Sequence, residues 1–292
     1  MKRRGRKTTI KVAITVLLIA VAAAAAVYAL TAGRMNYVRD SDIRRALQTE
    51  TELSTEEKLL HPQDIYSTDG VHRITADEAE NTWTLLVICG SSPEAESEGK
   101  REDAEAVITM TVNHNMGECY FTSFQANTWV NIPGYQGGAI GHAYALGGGP
   151  LLIDTLRENY GMSIDHYATV SLKDVARELE LPDFEKIDVS EDGLETVEKL
   201  VYSLNYSNPL DVASALTRML KYVTHNMTAQ DILHMTLQVP RIVPYYSEKY
   251  RLPLEGMYTE ADGYLVPDAP LMSKTLQEMI YAGGEAATEK QT

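Results

Sequence analysis

The sequence predicts an α/β fold, namely a sandwich with a mixed central sheet flanked by helices, preceded by a single-pass N-terminal membrane helix. Two observations lead to this prediction. Between residues 83 and 180, short apolar runs alternate with segments whose apolar residues recur at helical spacing, a pattern typical of a sheet with helices packed on it. Residues 12–32 form one long run without a charged side chain.

The N-terminal run is long enough to cross a bilayer. At about 1.5 Å per residue, residues 12–32 span roughly 30 Å, the thickness of a bilayer core. Residues 1–11 are rich in Lys and Arg, which stay on the cytoplasmic side. We therefore expect residues 1–11 to be a cytoplasmic tail, residues 12–32 a transmembrane anchor, and the remainder extracytoplasmic. A cleaved signal peptide is the alternative.

Charge is distributed unevenly along the chain. The net charge is −15, yet residues 1–34 hold seven of the 26 Lys and Arg residues and no Asp or Glu. The remainder therefore carries 19 basic and all 41 acidic residues, a net charge of −22. Nucleic acid is excluded as a partner of that part, because phosphate backbones require a basic footprint. Any other polyanion would need a local basic pocket or a metal ion.

The remaining chain divides into three parts. Residues 33–80 are polar and predict a stalk, residues 81–282 predict the extracytoplasmic domain, and residues 283–292 predict a frayed tail. The domain opens with TWTLLVICG, a run typical of a strand buried on both faces. EAVITMTV and ECYFTSF flank HNMG and predict a β-hairpin.

Helices are expected in the second half of the domain. PLLIDTLRENYG is amphipathic and predicts a helix that begins at Pro150 and ends at Gly161. DHYATVSL predicts another strand, followed by a short helix to Leu179. Further helices are expected at Glu191–Tyr202, at Leu210–His225, from Thr228 towards Pro240, and at Leu271–Tyr281. The Tyr-rich residues 245–264 predict irregular structure with at most one edge strand.

The chain has two cysteines, Cys89 and Cys119, both in apolar surroundings typical of strands. In an extracytoplasmic domain they could pair, and two buried free thiols are equally compatible with the sequence. Neither lies near His and Asp at a spacing that indicates a catalytic thiol.

The most unusual stretch is SFQANTWVNIPGYQGGAIGHAYALGGG, at residues 123–149, in which seven of 27 residues are glycine. So many glycines indicate tight turns or close backbone approach. The triple glycine at 147–149 directly precedes Pro150, so free N–H groups at the helix start could hold a phosphate. A purely structural strand-to-helix turn is the alternative.

The order of these features resembles the LytR–CpsA–Psr family of cell-envelope proteins. The matching pieces are LLVICGSS, KRED before a strand, TSFQANTWVNIPGY, GAIGHAYALGGGPLLIDTL and IDHYATVSL, all behind an anchor. The resemblance implies an external α/β domain that transfers anionic glycopolymers from a polyprenyl-pyrophosphate carrier to peptidoglycan, generally with a divalent metal. It further implies a phosphate-binding role for Arg101 and a metal-binding role for Asp103, with Mg²⁺ as a weak expectation. A solvated loop pair is the alternative for these two residues.

The sequence also departs from the family. Ser92 stands where the family has an acidic residue, and Ala126 and Asn127 stand where it has Arg and Asp. Gly141 replaces the Asn of a Lys-Ile-Asn segment, and an Arg-rich stretch expected between 180 and 215 has no arginine. Moving a pyrophosphate needs cations at the phosphates. The losses therefore predict weak or absent catalysis, and no catalytic residue is assigned.

Three further residues are candidates for a lipid or ligand groove: Trp129, His142 and Tyr144. His142 could act as a base or line the groove, and Trp129 could stack on a sugar or pack along an isoprenoid tail. Core packing is the alternative for Trp129, and a hydrogen-bonded structural role is the alternative for His142.

Together these features predict a single-pass membrane protein of the bacterial cell envelope that binds a polyprenyl-(pyro)phosphate-linked carrier. The expected partners are the membrane, the carrier lipid, and peptidoglycan or other envelope proteins. The alternatives are an active atypical phosphotransferase that attaches anionic glycopolymers to the cell wall, and a non-catalytic envelope scaffold.

Overall fold

The computed structural model of this chain describes residues 62–90, 100–178, 189, 193–197, 218–219, 222–232 and 247–281, and the backbone of residues 36–37. The predicted anchor, the tail, Ser92 and most of the residues between 180 and 217 lie outside these ranges. Among the residues described, no helix combines the length and the apolar composition needed to cross a bilayer.

A mixed sheet forms the centre of the domain, as predicted. The strands of the described part are β1 (Asn36–Tyr37), β2 (Thr82–Cys89), β3 (Ala106–Asn113), β4 (Glu118–Phe124), β5 (Trp129–Val130), β6 (Gly138–Ala139), β7 (His166–Val170), β8 (Val223–His225), β9 (Ser247–Leu252), β10 (Tyr258–Ala261) and β11 (Tyr264–Pro267). Seven of them form one sheet in the order β1-β8-β7-β2-β3-β4-β9. The pairs β2–β3, β3–β4 and β7–β8 are antiparallel, whereas β1–β8, β2–β7 and β4–β9 are parallel.

The helices with defined bounds are α1 (Pro62–Ile65), α2 (Ala76–Glu80), α3 (Ile140–Tyr160), α4 (Leu172–Glu178) and α5 (Ala269–Ile280), and residues 193–197 and 229–232 are also helical. α3 consists of two helical segments that meet at a kink at Gly148 (φ 65°, ψ −160°), so the predicted helix start near Pro150 is confirmed for the second segment, whereas the first segment, from Ile140, was not predicted. Ile140 and Tyr144 are fully buried, and their packing offsets the poor helix propensity of the glycines around them. The predicted end at Gly161 is confirmed by its left-handed conformation.

The sheet separates two apolar cores. On one face, α3 and α5 pack against strand residues, so that Leu152 and Leu276 join Leu86, Val107 and Tyr120 in the first core. Close packing of α3 depends on Gly149, because a Cβ at that position would collide with the ring of Tyr167 on β7.

The second core covers the opposite face. There Val175 of α4 and Leu194 pack against Leu85, Ile108 and Phe121. With helical residues on both faces of a mixed sheet, the described domain is an α/β sandwich.

The predicted stalk is wrong for residues 62–80, which pack onto the domain. The Tyr66 hydroxyl donates a 2.5 Å hydrogen bond to Oδ1 of buried Asn159 in α3. The Ile74 N–H donates to the Gly161 carbonyl at 3.3 Å, and Thr75 caps α2. A polar segment was expected to stay in solvent, but its few apolar and hydrogen-bonding side chains find partners that are distant in sequence.

Two further elements differ from prediction. Residues 223–225 form strand β8 rather than the end of a helix, because they pair with β7 at the sheet edge. Residues 258–267, expected to be irregular, form the hairpin β10–β11 around Asp262 and Gly263, which both have positive φ. An Asp-Gly turn of this kind is a hairpin signal that the sequence did contain.

Cys89 and Cys119 are both free and buried. The two cysteines lie beside opposite ends of β3, because in the strand register Cys89 is opposite Ala106 and Cys119 is opposite Val112. Six residues of extended chain separate those partners, or about 20 Å at roughly 3.4 Å per residue. A disulfide requires Cα atoms within about 7 Å, so the geometry selects the free-thiol alternative.

Candidate functional site

The candidate site lies where residues 101–104 run along the first part of α3 in the opposite direction. The Ala104 N–H donates to the Gly141 carbonyl at 3.0 Å, Asp103 contacts His142 at 2.8 Å, and Arg101 lies beside Gly148. We call this surface, formed by residues 101–104 and 141–148, the cradle. It follows the carboxyl end of β2, the end of a sheet at which ligands commonly bind.

Arg101 supplies the positive charge of the cradle. A Cβ added to Gly148 would lie 3.9 Å from Cδ, Nε and Nη1 of Arg101. The side chain is partly buried, and its Nε is enclosed without a hydrogen-bond partner among the described residues. A buried N–H donor without a partner is costly, so the cradle is suited to an acceptor such as a phosphate oxygen.

Gly148 places the start of a helical segment next to this guanidinium. Its positive φ interrupts α3, and residues 149–160 continue as helix with Pro150 near their beginning. The first N–H groups of a helix have no partners within the helix and carry a partial positive charge. The predicted anion-binding turn at the triple glycine is therefore present as a conformation, with Arg101 at its side.

Asp103 and His142 form a pair at the other end of the cradle. Oδ1 of Asp103 lies 2.8 Å from Nδ1 of His142, and the two side chains are 60% and 48% exposed. Only a ring with a proton on Nδ1 can donate this bond, either as the neutral Nδ1–H tautomer or as the imidazolium. The bond fixes the ring, and Nε2 is left for other contacts.

The replaced family positions adjoin the cradle. The Gly141 N–H donates to the Ala126 carbonyl at 3.2 Å. Asn127 turns away, because its Nδ2 donates to the Gly263 carbonyl at 3.2 Å and its own carbonyl accepts from Leu265 N–H at 3.3 Å. The side chains at 126 and 127 therefore bring no charge to the cradle.

The structure brings together three of the predicted site residues and separates the other two from them. Arg101, Asp103 and His142 lie along the cradle, whereas Tyr144 is fully buried in the first core against Gly90. Trp129 belongs to a separate small cluster, with its ring 5.0 Å from that of Tyr264. The binding roles of all five remain predictions.

Sequence reasoning missed the contribution of Gly141. A Cβ at Gly141 would lie 2.7 Å from the Ala104 carbonyl oxygen, so this glycine permits the docking of residues 101–104. The signal was present as a glycine-rich stretch, but Ala104, the partner that requires a glycine at position 141, lies 37 residues earlier in the chain.

Comparison with solved structures first defines the class of fold. The described sandwich is similar to a protein from Streptococcus agalactiae, gbs0355, with a TM-score of 0.56 and 12% identity, covering 71% of this chain and 90% of that one. It is also similar to TagV of Bacillus subtilis, with a TM-score of 0.54 and 16% identity, covering 68% of this chain and 96% of that one.

Sequence comparison then gives the family. The model of the LytR_cpsA_psr family matches residues 44–177, so the predicted resemblance to that family is confirmed. A related protein of Oceanobacillus iheyensis, the polyisoprenyl-teichoic acid–peptidoglycan teichoic acid transferase TagU, is 32% identical over 84 residues. That match spans 27% of this chain and only 26% of the relative.

Proposed function

We propose that this protein is a membrane-anchored cell-envelope protein that binds a polyprenyl-(pyro)phosphate-linked carrier at the cradle, with weak or no catalysis. The observation that carries the proposal is the position of Arg101, whose partly enclosed guanidinium lies against the positive-φ turn at Gly148. The kinship with a transferase that acts on polyisoprenyl-linked teichoic acid supports the class of ligand.

The chemistry of the cradle favours a phosphate. A guanidinium gives paired N–H donors that match phosphate oxygens, and the helical segment after Gly148 adds backbone donors. Beyond residue 34 the chain carries a net charge of −22, so long-range attraction of an anion is weak and local contacts must hold it. One partly buried cation with an enclosed, unused N–H donor meets that need.

The same geometry favours binding over rapid turnover. Ala126, Asn127 and Gly141 stand where the family carries an Arg, an Asp and an Asn, and they place no charged group at the cradle. Loss of one donor to the developing charge typically lowers the rate by a factor on the order of 10²–10³. Several such losses leave a site that can hold a diphosphate but stabilises its transfer poorly.

A resident Mg²⁺ fits the described residues poorly. Asp103 already accepts a hydrogen bond from His142, and within the described ranges no group of three or more His, Cys, Asp or Glu residues is placed to hold a metal ion. Mg²⁺ requires six oxygen ligands and often takes several from substrate phosphates and water. Any Mg²⁺ here would arrive with the diphosphate, so no step is assigned to it.

The membrane supplies the context for such a ligand. Residues 12–32, which lie outside the described part, have the length and composition of an anchor. With the basic residues 1–11 on the cytoplasmic side, the domain faces the envelope. There it can meet the carrier lipid, and peptidoglycan or other envelope proteins.

Lipid retention tests the proposal directly. The full chain is purified in mild detergent after expression in a bacterium that makes polyprenyl phosphates, and bound lipid is measured by mass spectrometry. We expect a polyprenyl phosphate with the wild-type chain, and little with Arg101→Ala. Arg157→Ala is the matched control, because Arg157 lies on α3, the helix beside Arg101, but pairs with Asp154 at 2.6 Å.

Two outcomes would overturn the proposal. One is a wild-type chain that carries no lipid and gains none when polyprenyl phosphate is added. The other is an Arg101→Ala variant that retains as much lipid as the Arg157→Ala control.

A further inference from the structure

A polar pocket lies far from the cradle, at the opposite end of the central strands. It is lined by Glu78, Asn81, Asn113, Asn115 and Tyr281 and has a volume of about 160 Å³. The cradle follows the carboxyl end of β2, whereas this pocket lies at its beginning. Eight residues of β2 put the two ends about 23 Å apart at roughly 3.3 Å per residue.

The walls of the pocket are held in place by their own hydrogen bonds. Glu78 Oε2 accepts from the Thr75 N–H at 2.7 Å, and Glu78 Oε1 accepts from Gln277 Nε2 at 2.8 Å. The bond from the Thr75 backbone is the largest of the effects that lower the pKa of Glu78, so its carboxylate stays ionised. Asn113 Nδ2 donates to the Ile280 carbonyl at 3.1 Å, which joins the end of β3 to the end of α5.

The opposite wall presents groups that are free for a ligand. Asn115 is exposed, and only its backbone N–H is used, donating to Asn113 Oδ1 at 3.1 Å. Tyr281 contributes its partly buried ring, whereas its hydroxyl is enclosed and directed to Thr82. An amide, a fixed carboxylate and an aromatic ring therefore surround one small space.

This combination selects a small, neutral ligand rich in hydroxyl groups. No Lys or Arg lines the pocket, and the carboxylate of Glu78 repels anions. Amide and carboxylate side chains donate to and accept from hydroxyl groups, while an aromatic ring packs against C–H groups. The volume is well below the roughly 300–1,000 Å³ of sites for drug-sized ligands, so the ligand is about the size of one sugar ring.

We propose that the pocket between Glu78, Asn115 and Tyr281 is a binding site for a single neutral sugar ring, separate from the phosphate-binding cradle. The site does not depend on the proposed carrier binding, because none of its residues belongs to residues 101–104 or 141–148. It would give the domain a second contact with a glycan, at the end remote from the cradle.

Saturation-transfer NMR on the purified full chain tests this site. The neutral probes are N-acetylglucosamine and methyl α-glucoside, and glucose 6-phosphate is the anionic comparison. We expect at least one neutral probe to bind with a Kd on the order of 1 mM, and the phosphate to bind more weakly. Hydrogen exchange should slow at residues 78–81 and 113–116 when the neutral probe is added.

Variants separate the pocket from the rest of the surface. Asn115→Ala should weaken binding about fivefold, since it removes one or two hydrogen bonds of modest strength. His114→Ala is the matched control, because His114 is an exposed neighbour that does not line the pocket. Arg101→Ala should leave sugar binding unchanged.

Three results would overturn the assignment. They are an absence of saturation transfer from every neutral probe, equal affinities for Asn115→Ala and His114→Ala, and tighter binding of the sugar phosphate than of the neutral sugars. Failure of carrier retention with intact sugar binding would count against the cradle alone.

Discussion

The carbonyl oxygen of Ala104 lies only 2.7 Å from the point at which a Cβ would stand on Gly141. The same two residues are joined by a hydrogen bond from the Ala104 N–H to the Gly141 carbonyl at 3.0 Å. Arg101 and Asp103 are therefore held on α3 by a backbone contact that leaves no room for a side chain at position 141.

Gly141→Ala is expected to destabilise the docking of residues 101–104. The added carbon must push a carbonyl group rather than a flexible side chain, and overpacking of this kind costs about 1–3 kcal/mol. Urea unfolding and hydrogen exchange at the Ala104 amide measure the effect. Gly138→Ala is the control, since the nearest atom to its Cβ is the end of Ile132 at 3.4 Å. Equal losses in the two variants would contradict the role of the close approach.

Gly148→Ala tests the conformation beside Arg101. Here the nearest atoms to a new Cβ are those of Arg101 at 3.9 Å, so space is sufficient and only the positive φ of 65° is strained. We expect a loss of about 1–2 kcal/mol, the usual cost of a left-handed conformation with a side chain.

Gly161→Ala is the companion variant. It has a similar φ of 69°, but its Cβ would also collide with the backbone of His72. Its loss of unfolding free energy should be clearly larger than that of Gly148→Ala. If Gly148→Ala costs as much, the surroundings of Gly148 are more crowded than the structure indicates.

Ala126→Arg is expected to strengthen the binding of inorganic pyrophosphate. Ala126 is partly exposed, and its Cβ lies 3.5 Å from the Cβ position of Gly141, so a guanidinium there can reach the cradle. One charge-assisted hydrogen bond is worth about 1.5–3 kcal/mol, or roughly a tenfold or greater gain by titration calorimetry. Ala126→Gln, which adds length without charge, should give little gain.

Asn127→Asp is expected to behave differently from Ala126→Arg. The Asn127 amide donates to the Gly263 carbonyl, and a carboxylate at that position would repel this oxygen. We expect a loss of about 1 kcal/mol in stability, seen as a lower urea midpoint, and no gain in pyrophosphate affinity. A gain in affinity from this variant alone would mean that residue 127 points into the cradle after all.

His225 makes stability depend on pH. It is fully buried, and burial lowers its pKa from 6.5, an effect that a hydrogen bond with the Met227 backbone offsets only in part. The unfolded chain therefore takes up the proton first as pH falls. The free energy of unfolding should decrease below about pH 6.5, by roughly 1.4 kcal/mol for each unit by which the pKa is lowered.

Urea unfolding of His225→Leu between pH 7.5 and pH 5 measures this contribution. The variant should lose part of the decrease below pH 6.5, whereas a control variant of the exposed His114 should keep it. Identical pH profiles for wild type and His225→Leu would show that another group is responsible.

The spacing of apolar residues along the chain was enough to predict those strands and helices whose buried face follows from that spacing alone. The hairpin of β3 and β4 and the buried face of α3 fall where alternation and helical spacing place them. Thr228 and Asp231 form the predicted capping contacts, with the Thr228 N–H donating to Asp231 Oδ2 at 2.7 Å. Each of these depends on residues only a few positions apart.

Contacts between distant residues could not be predicted in this way. The packing of residues 62–80 requires Asn159, and the helical start at Ile140 depends on burial beneath residues about 35 positions earlier in the chain. The hairpin β10–β11 was missed although its Asp-Gly turn was visible, because the surrounding tyrosines and prolines favoured irregular structure.

By itself, the sequence determined the class of the domain, its mixed sheet, its resemblance to the family and which charged residues of the family pattern are present, since these follow from composition, periodicity and motif order. Only the tertiary structure decided which residues meet. It places Arg101 beside Gly148 and Asp103 beside His142, whereas Trp129 packs against Tyr264, away from both pairs. The physical reason is that a site is made by side chains and backbone atoms far apart in the chain. These groups meet through close packing at glycines such as Gly141. A side chain is excluded there by a residue that is distant in the sequence, so the local sequence cannot reveal the constraint.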